Sequence, residues 1–295
     1  MPERRAFNIN GSVLTLDQLQ AARADRYRQR HQLRVSSEEE ALGFLNDVGI
    51  CSLFSAKGIE IPSLWGALCG ENRPVPRHHD SLELGLAWQW KDTLPIAGYV
   101  LYGKFLRKRP VFIALDLAPY FYALSPNYGD PAEDYLQDYL DGRLSVEAKL
   151  VYETLLELGA LPTSRLRREA GLAGKANATR FDRALAELQM DFRIVRVAIS
   201  DANRWGYCYV YDLLPRRFPE IVEASRIIKS REAREAILLR YLRTVVAATP
   251  QQIRGAMGWV LSDIERAASR LAQHDLLYAG RRVEGLAGEY LVSRD

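Results

Sequence analysis

Apolar positions change from a helical to a strand period between residues 145 and 212. Val151, Leu155 and Leu158 recur at helical spacing behind Ser145, a cap residue with Glu147 in the first turn, and Gly159 ends the run. Thr163 reads as the cap of a short second helix over 164–170, closed by Gly171. A third helix is predicted over about 178–191. Phe181, Leu185 and Leu188 form its apolar stripe, and Asn177, Thr179, Arg180 and Arg183 its polar face. The pattern then turns to strands. Residues 192–199 are rich in β-branched side chains, and Ser200-Asp201-Ala202-Asn203 is turn chemistry. Residues 205–211 alternate, with Tyr207, Tyr209 and Tyr211 on one side. Three helices and a hairpin are the order of a winged helix-turn-helix.

The same order recurs on both sides. Ser36-Ser37-Glu38 opens a helix whose apolar face is Leu42, Leu45 and Val48, with Gly49 as its stop. Short helices over 62–70 and 80–90 follow, then a hairpin over 96–106 and 110–116 joined by Arg107-Lys108-Arg109, then a helix over 117–125. Near the other end Ser230 begins a helix carrying Ile237, Tyr241 and Val245, and Thr249-Pro250 caps the next. Ile264, Ala268 and Leu271 repeat the spacing of Phe181, Leu185 and Leu188. Strands over 276–281 and 289–293 place Arg281 and Arg282 at the last wing tip. The predicted class is therefore α+β, mainly α, with three tandem winged helix-turn-helix modules over 36–126, 145–214 and 230–295. Residues 127–144 read as a linker with a short helix, and 215–229 as a connecting helix. Residues 1–35 read as a loose leader and a basic helix from Leu14 to Arg34. The stretch Arg23, Arg26, Arg28, Arg30 reads either as a solvated face or as a phosphate-binding one.

Charge bears on function only through its distribution, since the net charge of the 295-residue chain is +3. In the winged-helix reading cations fall where docking on double-stranded DNA requires them. These are Arg165, Arg167 and Arg168 on the second helix, Lys175 in the turn, and Arg180 and Arg183 with Asn177 and Thr179 on the third. Arg204 near a wing tip, Arg107, Lys108 and Arg109 in the first wing, and Arg254, Arg281 and Arg282 in the last module complete the expected DNA-binding set. The three cysteines, Cys51, Cys69 and Cys208, are widely spaced and form no CxxC pair, so they read as reduced thiols of a cytoplasmic protein. No signal-peptide core or membrane-length apolar run is present. His78-His79-Asp80 reads as an exposed loop, with no metal or cofactor expected. Trp88 and Trp90, with Tyr99 and Tyr102, read either as core or as a base-stacking platform. The sequence leaves the oligomeric state open and is compatible with a monomer. Without a phosphate-cradling glycine loop or GxSxG, nucleotide or serine hydrolysis has no support.

Several stretches together resemble the AlkZ/YcaQ-like family of crosslink-repair DNA glycosylases. They are Pro62-Ser63-Leu64-Trp65, Trp88-Gln89-Trp90-Lys91-Asp92, Tyr102-Gly103-Lys104 with its hairpin, Pro119-Tyr120-Phe121-Tyr122-Ala123-Leu124, and the two later helix-turn-helix units. The resemblance covers most of the chain and implies tandem winged helices acting on damaged DNA. It also implies a Gln-x-Gln or Gln-x-Asp pair placing a water against the sugar of a flipped nucleotide. At the corresponding stretch, residues 49–54, Ser52 and Phe54 stand where that pair falls, and neither supplies a carboxylate or amide. Asn46 and Asp47 are polar residues nearby, either catalytic or facing solvent at a helix end. The expectation is a double-stranded DNA-binding protein without glycosylase activity or with altered chemistry. The alternatives are a glycosylase using Asp47, a transcriptional regulator, and a protein-interaction scaffold.

Overall fold

The structure is a computed structural model that describes residues 13–70, 73–76, 81–203 and 206–294. The chain is mixed α/β and about half helical. It divides into two compact units, Met1–Trp90 with Phe112–Leu117 and Ser230–Asp295, and Lys91–Val111 with Ala118–Lys229.

In the first unit, Thr15 and Gln18 form a reciprocal capping box that starts the helix Leu16–Arg26. This helix is shorter than the sequence suggests. Leu14 instead sits in the strand Val13–Leu14, and Arg28 adopts a left-handed φ of 53° that ends the run. The basic stretch is committed internally: Arg23 donates to the carbonyls of Val245 and Ala247 and to Glu60, each at 2.9 Å. Arg28 pairs with Asp47, and Arg30 with Asp25. The helix Glu38–Val48 starts on the Ser37 hydroxyl, carries three glutamates in its first turn, and stops at Gly49, whose φ of 75° suits glycine. The Thr244 hydroxyl donates to the Val48 carbonyl at 2.9 Å, joining this helix to Ser230–Val245. Thr249 and Gln252 cap Pro250–Met257 in a second capping box. The helix Leu261–Gln273 follows, then the strands Leu277–Val283 and Tyr290–Ser293. These strands form a sheet with Val13–Leu14 on one edge, paired in parallel, and Ala247–Ala248 on the other. Leu14, Leu19, Val246, Ala247, Val283, Tyr290 and Val292 pack together beneath it.

In the second unit, the helices Val146–Leu158, Thr163–Glu169 and Ala178–Met190 precede the strands Ile194–Ser200 and Cys208–Leu213. Leu161–Pro162 adds to Cys208–Leu213 as a third strand. Thr163 does not cap its helix as the sequence suggests, because the added strand draws its hydroxyl to the Tyr209 carbonyl at 2.7 Å. The Ser145 cap is doubly secured: its N–H and hydroxyl both donate to Glu187 at 2.7 Å. Val151, Leu155, Phe181, Leu185 and Leu188 form the core with Ile194, Tyr211 and Leu213. Tyr135 and Leu144 join it from the stretch read as a linker, where the helix is Asp134–Leu140. The connecting stretch is two helices, Leu214–Arg217 and Pro219–Ser225, separated by Phe218.

Candidate nucleic-acid interface

In the second unit the helix Ala178–Met190 turns its apolar stripe inward, which leaves Thr179, Arg180 and Arg183 exposed. Lys175 and, on the preceding helix, Arg165 and Arg168 are also exposed, and Asn177 is half-buried. Arg180 reaches Glu147 at 3.1 Å, and Arg165 and Arg168 lie 3.6 and 3.4 Å from Glu169. Exposed pairs of this kind contribute little, so an incoming phosphate can replace either carboxylate. Arg183 makes no ion pair among the described residues. Arg167 differs from its neighbours. Its guanidinium donates to the carbonyls of Leu172 and Gly174 and lies 6.0 Å from the Phe181 ring centre. It braces the turn between the two helices. The Asn177 amide likewise donates to the Ala173 carbonyl at 3.2 Å.

The strand Val100–Leu106 leads into the turn Arg107-Lys108 and then the strand Arg109–Ala114, of which residues 109–111 belong to this unit. Both turn residues adopt left-handed φ, 50° and 62°, as a two-residue hairpin of the favoured hand requires. That geometry usually takes Asn-Gly, and two long cations there are strained. All three basic residues of the turn are exposed. The strand beneath is held firmly. The Gln189 side chain accepts from the Lys104 N–H at 3.1 Å and donates to the Leu185 carbonyl at 2.7 Å. A Cβ on Gly103 would come within 2.8 Å of that amide oxygen. Phe105 stacks on Phe192 at 4.7 Å, and Phe192 on Phe121 at 5.7 Å. Burial pushes the Asp191 carboxyl up to about 6, with Arg193 opposing the shift and Glu187 adding to it.

Two features of this unit escaped the sequence reading. Lys91, 2% exposed, contacts Asp92 at 2.7 Å and the hydroxyls of Tyr207, at 2.9 Å, and Tyr209. Tyr207, just before the strand Cys208–Leu213, and Tyr209 within it have rings 5.5 Å apart, and both hydroxyls also meet Asp92. Burial and the hydrogen bonds to Tyr209 and Asp92 hold the Tyr207 phenol far above its ordinary range. The buried Arg193 pairs with Asp138. Only the tyrosine alternation hinted at the first, and nothing local marked the second.

In the first unit, Asn46 and Asp47 are both exposed at the end of their helix. The Asp47 carboxylate pairs with Arg28 at 2.8 Å, and the Asn46 carbonyl accepts from Arg240 at 2.7 Å. Ser52 is buried, and its hydroxyl donates to the Pro62 carbonyl at 3.1 Å. The Phe54 ring lies edge-on to Trp65 at 6.1 Å and to Trp88 at 6.0 Å. The two tryptophans read together separate: Trp90 is 2% exposed and Trp88 39%. Arg254 is exposed on the helix Pro250–Met257. Arg281 and Arg282 lie within the strand Leu277–Val283 instead of at its tip, because pairing continues to Val283. Arg281 stacks on Tyr278 at 4.6 Å, and Arg282 shares an open cavity with Glu284 and Glu289. Cys51, Cys69 and Cys208 are all buried free thiols. Arg204 and His78-His79-Asp80 lie outside the described residues. Among the described residues no helix is long and apolar enough to cross a membrane.

A family model described as AlkZ related matches residues 35–258. No curated protein matches the chain. Among solved structures the chain is similar to the Streptomyces sahachiroi DNA glycosylase AlkZ, with a TM-score of 0.57 and 13% sequence identity. That likeness covers 95% of this chain and 70% of the other.

Proposed function

Since the chain belongs to the AlkZ-related family, we propose that it binds double-stranded DNA through three tandem winged helix-turn-helix modules. We further propose that it lacks glycosylase activity or carries it in altered form. The exposed cationic face of Lys175, Arg180 and Arg183, with Arg165 and Arg168 beside it, carries the reading. It lies on the helix that would enter the major groove and on the turn before it. The strained basic turn at Arg107-Lys108 would meet the backbone as a wing. Modular organisation is supported by an order that occurs three times: helix, short strand, two helices, hairpin. In the last two occurrences the short strand pairs with the final strand of its hairpin. In the first, the Ala114 N–H donates to the Gly49 carbonyl at 2.9 Å.

The solved relative is named a DNA glycosylase, which places damaged duplexes among the substrates to test. Loss of chemistry is supported by the first module. The buried Ser52 hydroxyl is held by a carbonyl, and Phe54 offers no group to place or deprotonate water. Binding to labelled duplexes at several salt concentrations, followed by base-release assays on alkylated and crosslinked DNA, tests the proposal. Roughly micromolar or tighter binding that falls steeply with salt is expected, with little preference among random sequences and no released base. Base release lost in Asp47→Asn would instead establish the glycosylase, and one tight sequence-specific site a regulator.

A further inference from the structure

The helix Ala178–Met190 carries a carboxylate among its outward cations. Thr179, Asp182 and Arg183 are exposed on the side opposite Phe181, Leu185 and Leu188, with Asp182 and Arg183 three and four residues beyond Thr179. Ala186 and Gln189 continue that side but are buried, and the Gln189 amide is occupied by the Lys104 N–H and the Leu185 carbonyl. The open part of the face is therefore its first half, the end from which a helix-turn-helix reads base edges. The helices Thr163–Glu169 and Ala178–Met190 hold three carboxylates. Glu169 lies beside Arg165 and Arg168, and Glu187 receives the N–H and hydroxyl of Ser145. Asp182, the third, has no hydrogen-bond or ion-pair partner among the described residues. Nothing within the helix accounts for an acid there. The positions three and four away are Ala178, Thr179, Leu185 and Ala186, none of them a cation. Asp182 is also the fifth residue of the helix, past the first turn in which the helix dipole favours a carboxylate. Aspartate is a weak helix former, and its charge repels the phosphates that Arg180 and Arg183 would attract.

We propose that Asp182 reads cytosine, its carboxylate accepting a hydrogen bond from the N4 amine in the major groove of duplex DNA. The inference rests on the DNA-binding reading above. An ionised carboxylate only accepts hydrogen bonds, and the donors that base pairs present in the major groove are the amines of cytosine and adenine. Arg183, the next residue on the same face, favours the first. A guanidinium pairs with O6 and N7 of the guanine opposite cytosine, whereas the thymine opposite adenine presents a methyl group beside its one acceptor. The acid thus turns a face that would hold any phosphate into one that also recognises a G·C pair. Duplexes of random sequence all contain cytosine, so this contact leaves little preference among them.

The test compares binding to a labelled duplex and to the same duplex with every cytosine replaced by N4-methylcytosine. The modified base still pairs with guanine but sets a methyl group where the free amine hydrogen faces the groove. Wild type should prefer the unmodified duplex by about tenfold, within the usual scale of one base-edge contact. Asp182→Ala replaces an exposed residue by a stronger helix former, so it should melt no lower than wild type. It should bind both duplexes alike, and the modified one at least as tightly as wild type does, because a repelling charge is gone. Wild type that binds both duplexes equally, or Asp182→Ala that keeps the preference, would overturn this inference alone. Absence of binding to either duplex would overturn the DNA-binding reading with it.

Discussion

Replacing Arg107-Lys108 by Asn-Gly should make the protein more stable and a poorer DNA binder. Both residues hold left-handed φ, at 50° and 62°, in a two-residue hairpin turn. A non-glycine side chain in that region costs roughly 1–2 kcal/mol, and Asn-Gly adopts it with little strain. Two such residues store about 2–4 kcal/mol, of which the strain Asn keeps and the added flexibility of glycine in the unfolded chain together offset about 1–2 kcal/mol. A net gain of about 1–2 kcal/mol should raise the melting temperature by roughly 2–8 °C, given 2–4 °C per kcal/mol for a chain of this size. The same substitution removes two exposed cations. The slope of log K against log salt should shrink by up to about 2, with binding roughly tenfold weaker near physiological salt. Arg107→Gln/Lys108→Gln separates the two effects, since it discharges the turn and keeps its strain. It should weaken DNA binding equally and leave the melting temperature near wild type. Calorimetry and fluorescence anisotropy on the three proteins provide both readouts. An Asn-Gly variant no more stable than wild type would refute the strain argument, and one that binds with an unchanged salt slope would remove the turn from the interface.

Lys91→Met should destabilise by about 3 kcal/mol in chemical denaturation, because it strands Asp92 beneath two phenols; Lys91→Met/Asp92→Leu should recover much of that loss, and a double variant no better than the single would contradict it. Asp191→Asn should change the pH dependence of stability. Burial raises the Asp191 carboxyl to about 6, so the folded state binds its proton more tightly than the unfolded chain does, and stability falls as pH rises from about 4 to 6. The variant should escape this fall, gaining on wild type by up to about 3 kcal/mol between pH 4 and 7, and parallel stability curves would exclude the assignment. Gly103→Ala should lower stability by about 1–3 kcal/mol, since its methyl group would crowd the fully buried and doubly bonded Gln189 amide; an unchanged melting temperature would mean the strand shifts freely.

What could be read in advance was local. Ser145 and Thr249 announce their helices because a cap acts within one turn, and Phe181, Leu185 and Leu188 mark an inward stripe that the structure repeats. Thr163 was misread as a cap because a strand distant in sequence claims its hydroxyl. The same holds for charge. Arg180 and Arg183 are exposed as their helical positions imply, but Arg167 and Arg23 are drawn to backbone carbonyls that no spacing rule reveals. The wing residues Arg281 and Arg282 depend on strand register, which is set by pairing with Val13–Leu14 and Tyr290–Ser293 and not by composition. Trp88 and Trp90 look alike in sequence and differ in burial, because helical position alone separates an edge from a core residue.

The central claim is that Ala178–Met190 presents its cations to duplex DNA, and Arg180→Ala/Arg183→Ala tests it most directly. Affinity for one labelled duplex would be measured from low to physiological salt for wild type and variant, with the fold checked by melting temperature. Both side chains are exposed and Arg180 holds only a surface ion pair, so the variant should fold as wild type does. Binding that weakens at least tenfold, with a salt slope reduced by about 2, is the predicted result. A correctly folded variant that binds the duplex with wild-type affinity and slope would contradict the account.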